Sequence, residues 1–182
     1  MNQKYIVVKD FFSEQEVNFF TTYSRISMMN ARKFNHHCGA CISEYGSVVF
    51  DSVLADKVKI INKITNLSLI PTYSFFRIYN KYSELKKHTD RPSCEVSVTV
   101  HINSDGTKWP FFIEGKEFNL KPGEAIIYLG QYPHWRDEFQ GDWYSQLFLH
   151  YVNKNGKNTN WIYDKRRGLG LDKKEKYDFQ IE

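Results

Sequence analysis

The chain is poor in the features that mark secreted, membrane-spanning and nucleic-acid-coating proteins. Its 182 residues include only three cysteines, Cys38, Cys41 and Cys94. An odd count does not make a disulfide framework and fits a reduced compartment. No apolar run approaches the roughly 20 residues that a membrane-spanning helix needs, and the opening residues Met1 to Asp10 lack the apolar core of a secretory signal. Neither sign of charge dominates: 25 basic and 21 acidic residues leave a formal net charge of +4. That describes a mixed surface rather than a basic sheath for nucleic acid. These absences predict a soluble, cytoplasmic protein without a membrane partner. They leave its oligomeric state open.

What is abundant is aromatic. Phe, Tyr and Trp make up 16% of the chain, which suits a β-rich fold whose pocket needs flat apolar walls. The length corresponds to about one domain with a real core, and no repeat is visible. We expect a single domain over 1–182.

Local patterns organise it further. Tyr5-Ile6-Val7-Val8 reads as a short strand. Ser13-Glu14-Gln15-Glu16 has the form of a capping box, followed by an apolar stripe of Val17, Phe19, Phe20 and Tyr23. Residues 26–50 show no period and read as loops or short strands. Asp51 to Asn66 reads as a second helix, which Pro71 keeps from continuing. From Thr72 the period becomes two. In 94–103, Cys94, Val96, Val98, Val100 and Ile102 share one face, while Glu95, Ser97, Thr99 and His101 share the other. Turn signals at Asn103-Ser104-Asp105-Gly106 and Lys121-Pro122-Gly123-Glu124 separate further strands near 109–118, 124–130, 134–139 and 143–152. From about 153 the chain turns polar and reads as a tail that Trp161, Ile162 and Tyr163 can dock. Its Lys165-Arg166-Arg167 run reads as solvated rather than as a nucleic-acid arm.

Chemistry concentrates at His88-Thr89-Asp90 and at His134 in Pro133-His134-Trp135-Arg136. Alternate residues of an extended segment share a face, so His88 and Asp90 can point at one ion. Arg91-Pro92 disfavours helix directly afterwards. Two imidazoles and one carboxylate are the donor set of the facial triad that holds non-heme Fe(II) and leaves the opposite positions open. Cys38-Gly39-Ala40-Cys41, preceded by His36 and His37, looks like a zinc or redox motif, but no second ligand pair matches it, and it reads as a loop with buried thiols. Cys94 reads as core. Arg91 and Glu95, beside the triad, either contact substrate at the site's mouth or pair with one another.

The flanking order extends the pattern. Arg77-Ile78-Tyr79-Asn80 precedes His88-Thr89-Asp90, the alternating strand follows, and Pro122-Gly123-Glu124 introduces the strand before Pro133-His134-Trp135-Arg136. Over about residues 70–152 this resembles the 2-oxoglutarate/Fe(II) dioxygenase superfamily, nearest to its prolyl-4-hydroxylase-like branch. The resemblance implies a mostly β fold with supporting helices. Its double-stranded β-helix (jelly-roll, cupin-like) core would lie at about 70–152, helical support at 1–69, and the polar tail at about 153–182. It implies His88, Asp90 and His134 as ligands of Fe(II). It further implies 2-oxoglutarate as cosubstrate and O2 as oxidant, with ascorbate as a stimulant, and hydroxylation of a C–H bond with release of succinate and CO2. Asp90 fills the ligand position that halogenases of the superfamily leave to a small residue, so hydroxylation rather than halogenation is implied. A peptidyl side chain, proline first, or a small amino-acid-like molecule is the implied substrate.

Tyr79, nine residues before His88, stands where the family often has a tyrosine touching 2-oxoglutarate, and Arg77 shares its strand face. In one place the chain departs from the family. Many members carry Arg or Lys about ten residues after the distal histidine to grip the remote carboxylate of 2-oxoglutarate, whereas here the run is Gly141-Asp142-Trp143-Tyr144-Ser145-Gln146. Arg136, two residues after His134 and on the same strand face, is the expected replacement, assisted in binding 2-oxoglutarate by Tyr79 and Arg77, with His150 in reserve; the competing arrangements turn Arg136 outward to pair with Asp137 or Glu138 and place Arg77 in an external ion pair. Two other readings stand beside hydroxylation of an amino-acid-like substrate. One is a nucleic-acid demethylase or hydroxylase of the same superfamily, which would want a basic rim that the composition does not concentrate. The other is a non-enzymatic jelly-roll module that keeps the ligands for metal or ligand capture.

Overall fold

The computed structural model describes residues 1, 3–30 and 41–171. The His36-His37-Cys38 part of the cysteine motif lies outside them. Two antiparallel sheets face each other in a double-stranded β-helix, the jelly-roll arrangement. The larger contains β1 (Tyr5–Val8), β2 (Ile42–Tyr45), β3 (Leu69–Asn80), β5 (Val96–Ser104), β8 (Ala125–Leu129) and β10 (Trp143–Asn153), in the order β1-β8-β5-β10-β3-β2. The smaller contains β4 (Leu85–His88), β6 (Phe111–Ile113), β7 (Lys116–Phe118) and β9 (His134–Arg136), in the order β4-β9-β6-β7.

Helices α1 (Glu14–Asn30) and α2 (Val48–Thr65) cover the outer face of the large sheet. The capping box that starts α1 forms as expected: the Ser13 N–H donates to Glu16 Oε2 at 2.8 Å, and the Glu16 N–H donates back to Ser13 Oγ at 3.2 Å. The apolar stripe needs one correction. Phe20 is buried with Val17 and Tyr23 beside it, but Phe19 is 60% exposed, because residues at i, i+3 and i+4 share a helical face and i+2 does not. The aperiodic stretch 26–50 also holds more regular structure than its pattern shows: α1 runs to Asn30, β2 forms, and α2 begins at Val48.

The strand alternation of β5 divides as expected. Val96, Val98, Val100 and Ile102 face the helices in the main core, whereas Ser97, Thr99 and His101 are buried on the inner face. Cys94 is not on that strand. Pro92 opens a single 3-10 turn, Pro92–Cys94, which tucks the free Cys94 thiol against Tyr73 with Oη and Sγ 3.1 Å apart. Cys41 is fully buried and disulfide-bonded rather than a thiol. The turn signals are met. Glu124 N–H donates to Lys121 O at 2.9 Å across Pro122-Gly123, with Gly123 at φ +83°, the conformation a type II turn asks of its third residue. The expected strand region 109–118 is a tight hairpin, β6 and β7, turned through Glu114 and Gly115 at positive φ. Near 134–139 only the three residues of β9 are strand.

The polar segment after β10 folds back along β3. Of the three apolar residues expected to dock it, Trp161 and Tyr163 are half-buried and Ile162 is 41% exposed. The fully buried anchors are charged. Arg166 is buried in an ion pair with Asp51 at 2.8 Å and also donates to the carbonyl oxygens of Thr72, Gly46 and Leu171. Asp51 accepts in addition from Ser74 and from the Gly170 N–H. The middle of the basic run is therefore a structural cation, not a solvated one.

Candidate active site

Register on the large sheet builds the inner wall. Across β3 and β10, Tyr73 faces His150, Phe75 faces Phe148, Arg77 faces Gln146 and Tyr79 faces Tyr144. From β5, Ser97, Thr99 and His101 join these rows opposite His150, Phe148 and Gln146. Because strand residues alternate, every one of these side chains points between the sheets. The small sheet supplies the other wall, and its pairing of β4 with β9 sets His88 directly across from His134.

Asp90 completes the group just beyond β4, held by its own N–H to Gly130 O at 2.7 Å. Asp90 Oδ1 lies 3.7 Å from His88 Nε2 and 3.5 Å from His134 Nε2, and one donor atom from each residue falls within 4.8 Å of the others. Nitrogen and oxygen ligands sit about 2.1 Å from such an ion, so two at right angles are roughly 3 Å apart. Closing these gaps would let all three hold one metal ion. The ring orientations are already set. His88 Nδ1 is 2.7 Å from Lys86 O and His134 Nδ1 is 2.9 Å from Tyr132 O. A carbonyl only accepts, so each Nδ1 carries the proton and each Nε2 presents its lone pair inward.

The carboxylate is set as carefully. Ser97 Oγ donates to Asp90 Oδ2 at 2.9 Å and lies 2.9 Å from His150 Nδ1. A hydroxyl has one hydrogen, so His150 Nδ1–H donates to Ser97 and Ser97 donates to Asp90. Burial pushes the His150 pKa down to about 4 and keeps that ring neutral. A neutral ring brings no charge to an anion, and here it orients the serine. Burial raises the Asp90 pKa, but the His134 and His88 rings facing it favour the carboxylate, outweigh burial and hold the carboxyl well below its ordinary range. Asp90 correspondingly raises the His88 pKa, opposed by burial and more weakly by Arg77. Gly130 makes the close approach possible: a Cβ there would lie 2.1 Å from Cys94 O and 2.7 Å from Asp90 Cβ.

In front of the three residues is a cavity of about 300 Å³ whose lining includes Tyr45, Tyr73, Phe75, Arg77, Arg91 and Phe148. Arg91 and Glu95 do not pair. Arg91 makes two 2.8 Å bonds to Asp164 and sits 4.7 Å over the Tyr73 ring, while Glu95 accepts from Asn153 N–H and Asn158 Nδ2.

Deeper between the sheets lies Arg136. It is 2% exposed, so it points inward and not toward Asp137 or Glu138. Its guanidinium donates to Trp109 O and, at 3.4 Å, to Tyr144 Oη, and it has no carboxylate partner among the described residues. Tyr144 is the residue ten positions after His134. Arg136 thus brings a cation, from β9, to the inner face of β10 beside Tyr144. Around it, buried polar atoms lack hydrogen-bond partners: Arg136 Nε, His101 Nε2, Thr99 Oγ1, Tyr79 Oη and both ends of the Gln146 amide. Burying polar atoms unpaired costs free energy, and such a cluster on one inner face fits a polar, anionic ligand. Tyr79 belongs to this deep group and does not line the cavity beside the ligands.

No protein-family model matches the sequence, and no curated protein matches it. Solved structures do resemble it. A prolyl-4-hydroxylase from Pseudomonas putida is 19% identical with a TM-score of 0.65, the match covering 84% of this chain and 94% of that one. A 2OG-Fe(II) oxygenase family oxidoreductase from Burkholderia pseudomallei is 16% identical with a TM-score of 0.62, covering 85% and 87%. HygX from Streptomyces hygroscopicus, solved with nickel, 2-oxoglutarate and hygromycin B bound, is 11% identical with a TM-score of 0.65, covering 84% of each chain. The fold is that of the 2-oxoglutarate/Fe(II) oxygenases. No helix among the described residues is long and apolar enough to cross a membrane.

Sequence reasoning missed Gly130, Tyr128 and the positioning role of Ser97. Only Ser97 carried a signal, its place on the inward polar face of β5. Tyr128 packs its ring 4.8 Å from that of His134.

Proposed function

We propose that the protein is a 2-oxoglutarate- and Fe(II)-dependent dioxygenase that hydroxylates a C–H bond of a peptidyl or small amino-acid-like substrate. The observation that carries this reading is the pairing, on facing sheets, of an inward His-Asp-His group with a buried guanidinium that has no carboxylate of its own. His88, Asp90 and His134 would hold the iron. Arg136 would take the remote carboxylate of 2-oxoglutarate in a largely dehydrated pocket, where a planar, bidentate donor is at its strongest. The reaction balances as substrate C–H plus 2-oxoglutarate plus O2 to substrate C–OH plus succinate plus CO2, one oxygen atom entering each of the first two products. Iron bound at the site supplies the redox chemistry for O2. The chain's own residues orient. Lys86 and Tyr132 carbonyls keep the Nε2 lone pairs inward, His150 and Ser97 fix the carboxylate, and Tyr73, Phe75 and Phe148 line the cavity with flat apolar surface.

The test is succinate release from 2-oxoglutarate by purified protein supplied with Fe(II), O2 and ascorbate. Succinate that depends on iron and disappears in His134→Ala supports the reading. Protein that binds iron but releases none in the presence of free amino acids and peptides contradicts it.

A further inference from the structure

Among the described residues, two guanidiniums face the inside of the site without a carboxylate partner, and 2-oxoglutarate has only one remote carboxylate. Arg136 accounts for one of them. Arg77 is the other. It lines the cavity in front of the metal-ligand group, its Nε is buried without a hydrogen-bond partner, and its guanidinium has neither hydrogen bond nor ion pair to any described residue. What it touches is aromatic, with Cζ 4.5 Å over the Phe75 ring and 5.9 Å over that of Tyr79. Arg91, the second cation of the cavity wall, is different, because Asp164 neutralises it through two bonds. Among the described residues the cavity's only lining carboxylate is Asp90, and that one belongs to the His88-Asp90-His134 group.

Counting charge shows what is left over. This step rests on the oxygenase reading above. A divalent iron, the Asp90 carboxylate, the 2-oxoglutarate dianion and the Arg136 cation sum to zero. Arg77 then remains as one uncompensated positive charge on an aromatic-walled cavity. A half-buried cation without a counterion is costly unless a ligand supplies one. We propose that the substrate of this site carries a free carboxylate, which Arg77 binds, with an apolar body lying against the Tyr73, Phe75 and Phe148 rings. Among peptidyl and amino-acid-like substrates, such a group comes from a free amino acid or from the carboxyl end of a peptide chain. An internal residue has no α-carboxylate and offers one only where it is Asp or Glu.

Matched acids and amides test this. Succinate release by the iron-loaded protein is measured across free L-amino acids, dipeptides with free carboxyl ends, and the carboxamides of both sets, using wild type, Arg77→Met and Arg77→Lys. The expected result is that at least one acid accelerates succinate release, with half-saturation at a concentration tenfold or more below that of its amide. In Arg77→Met that ratio falls to about one, and Arg77→Lys keeps part of it. Free amino acids outperforming dipeptides assign a small-molecule source, and the reverse assigns a chain end. The proposal is overturned if amides work as well as acids in the wild type, if the preference survives Arg77→Met, or if no acid accelerates the reaction. Absence of any succinate from iron-loaded protein is a different failure, that of the oxygenase reading, and takes the proposal with it.

Discussion

Replacing Ser97 by alanine removes one hydroxyl and nothing else from the wall of the site, yet it should weaken metal binding by one to two orders of magnitude. Ser97 touches no metal. Its hydrogen goes to Asp90 Oδ2 at 2.9 Å, and its oxygen lies 2.9 Å from His150 Nδ1. Both partners are buried or nearly so, and water cannot readily take its place. A hydrogen bond to a charged group is worth about 1.5–3 kcal/mol, and about 1.4 kcal/mol is a factor of ten. Loss of the bond leaves Asp90 free to turn, so part of the metal's binding energy goes into re-fixing it. The result is a dissociation constant roughly 10–100-fold higher, the range in which partners of first-layer ligands act. Anaerobic titration with Fe(II), or with Mn(II) as an air-stable substitute, measures it, and thermal unfolding of the metal-free protein checks that the fold persists. A folded Ser97→Ala protein whose metal affinity falls less than threefold would refute the argument that the serine positions the carboxylate.

Other perturbations read other parts of the account. Arg136→Met should raise the 2-oxoglutarate concentration for half-maximal succinate release by roughly tenfold or more, since a charge-assisted bond is lost. The metal-free variant should be no less stable, because a buried cation without a carboxylate has been removed; a large drop in its unfolding midpoint would make Arg136 structural instead. Arg166→Met strands the buried Asp51 carboxylate and should cost about 3–5 kcal/mol in urea unfolding, while a surface-like loss under 1 kcal/mol would contradict the buried anchor. His101 supplies a pH test. Burial lowers its pKa to about 4 from an ordinary 6.5, so between these values the unfolded chain binds more protons than the folded one. Stability of the metal-free protein should therefore fall as pH drops from about 6.5 to 4, by about 3 kcal/mol from this residue. His101→Gln should flatten that part of the urea-unfolding profile, and an unchanged slope would refute it.

The parts of the site that were legible in the sequence are those that depend on strand periodicity. His88 and Asp90 two apart, His134 and Arg136 two apart, and Ser97, Thr99 and His101 alternating all follow from a period of two once the segments are taken as extended. The inward direction of Arg136 was legible for the same reason. Other features depend on contacts between distant segments, which no local pattern records. Gly130 is required only because Asp90 and the Cys94 carbonyl crowd it from other segments. Asp51 and Arg166 are 115 residues apart and meet only after β3 and the final segment pack together. Arg166 looked solvated because a Lys-Arg-Arg run in a polar stretch carries no sign of the buried carboxylate waiting for its middle residue. Cys94 changed place because Pro92 tightened the chain into a turn before the strand began.

Binding of 2-oxoglutarate with and without metal tests the central claim most directly, because the site is proposed to need both halves at once. Anaerobic calorimetry should show one 2-oxoglutarate per chain with Fe(II) or Mn(II) present, little or none without metal, loss in His134→Ala and marked weakening in Arg136→Met. Equal binding of 2-oxoglutarate to metal-free and metal-loaded protein, or undiminished binding in His134→Ala, would contradict the proposal that His88, Asp90, His134 and Arg136 form one site.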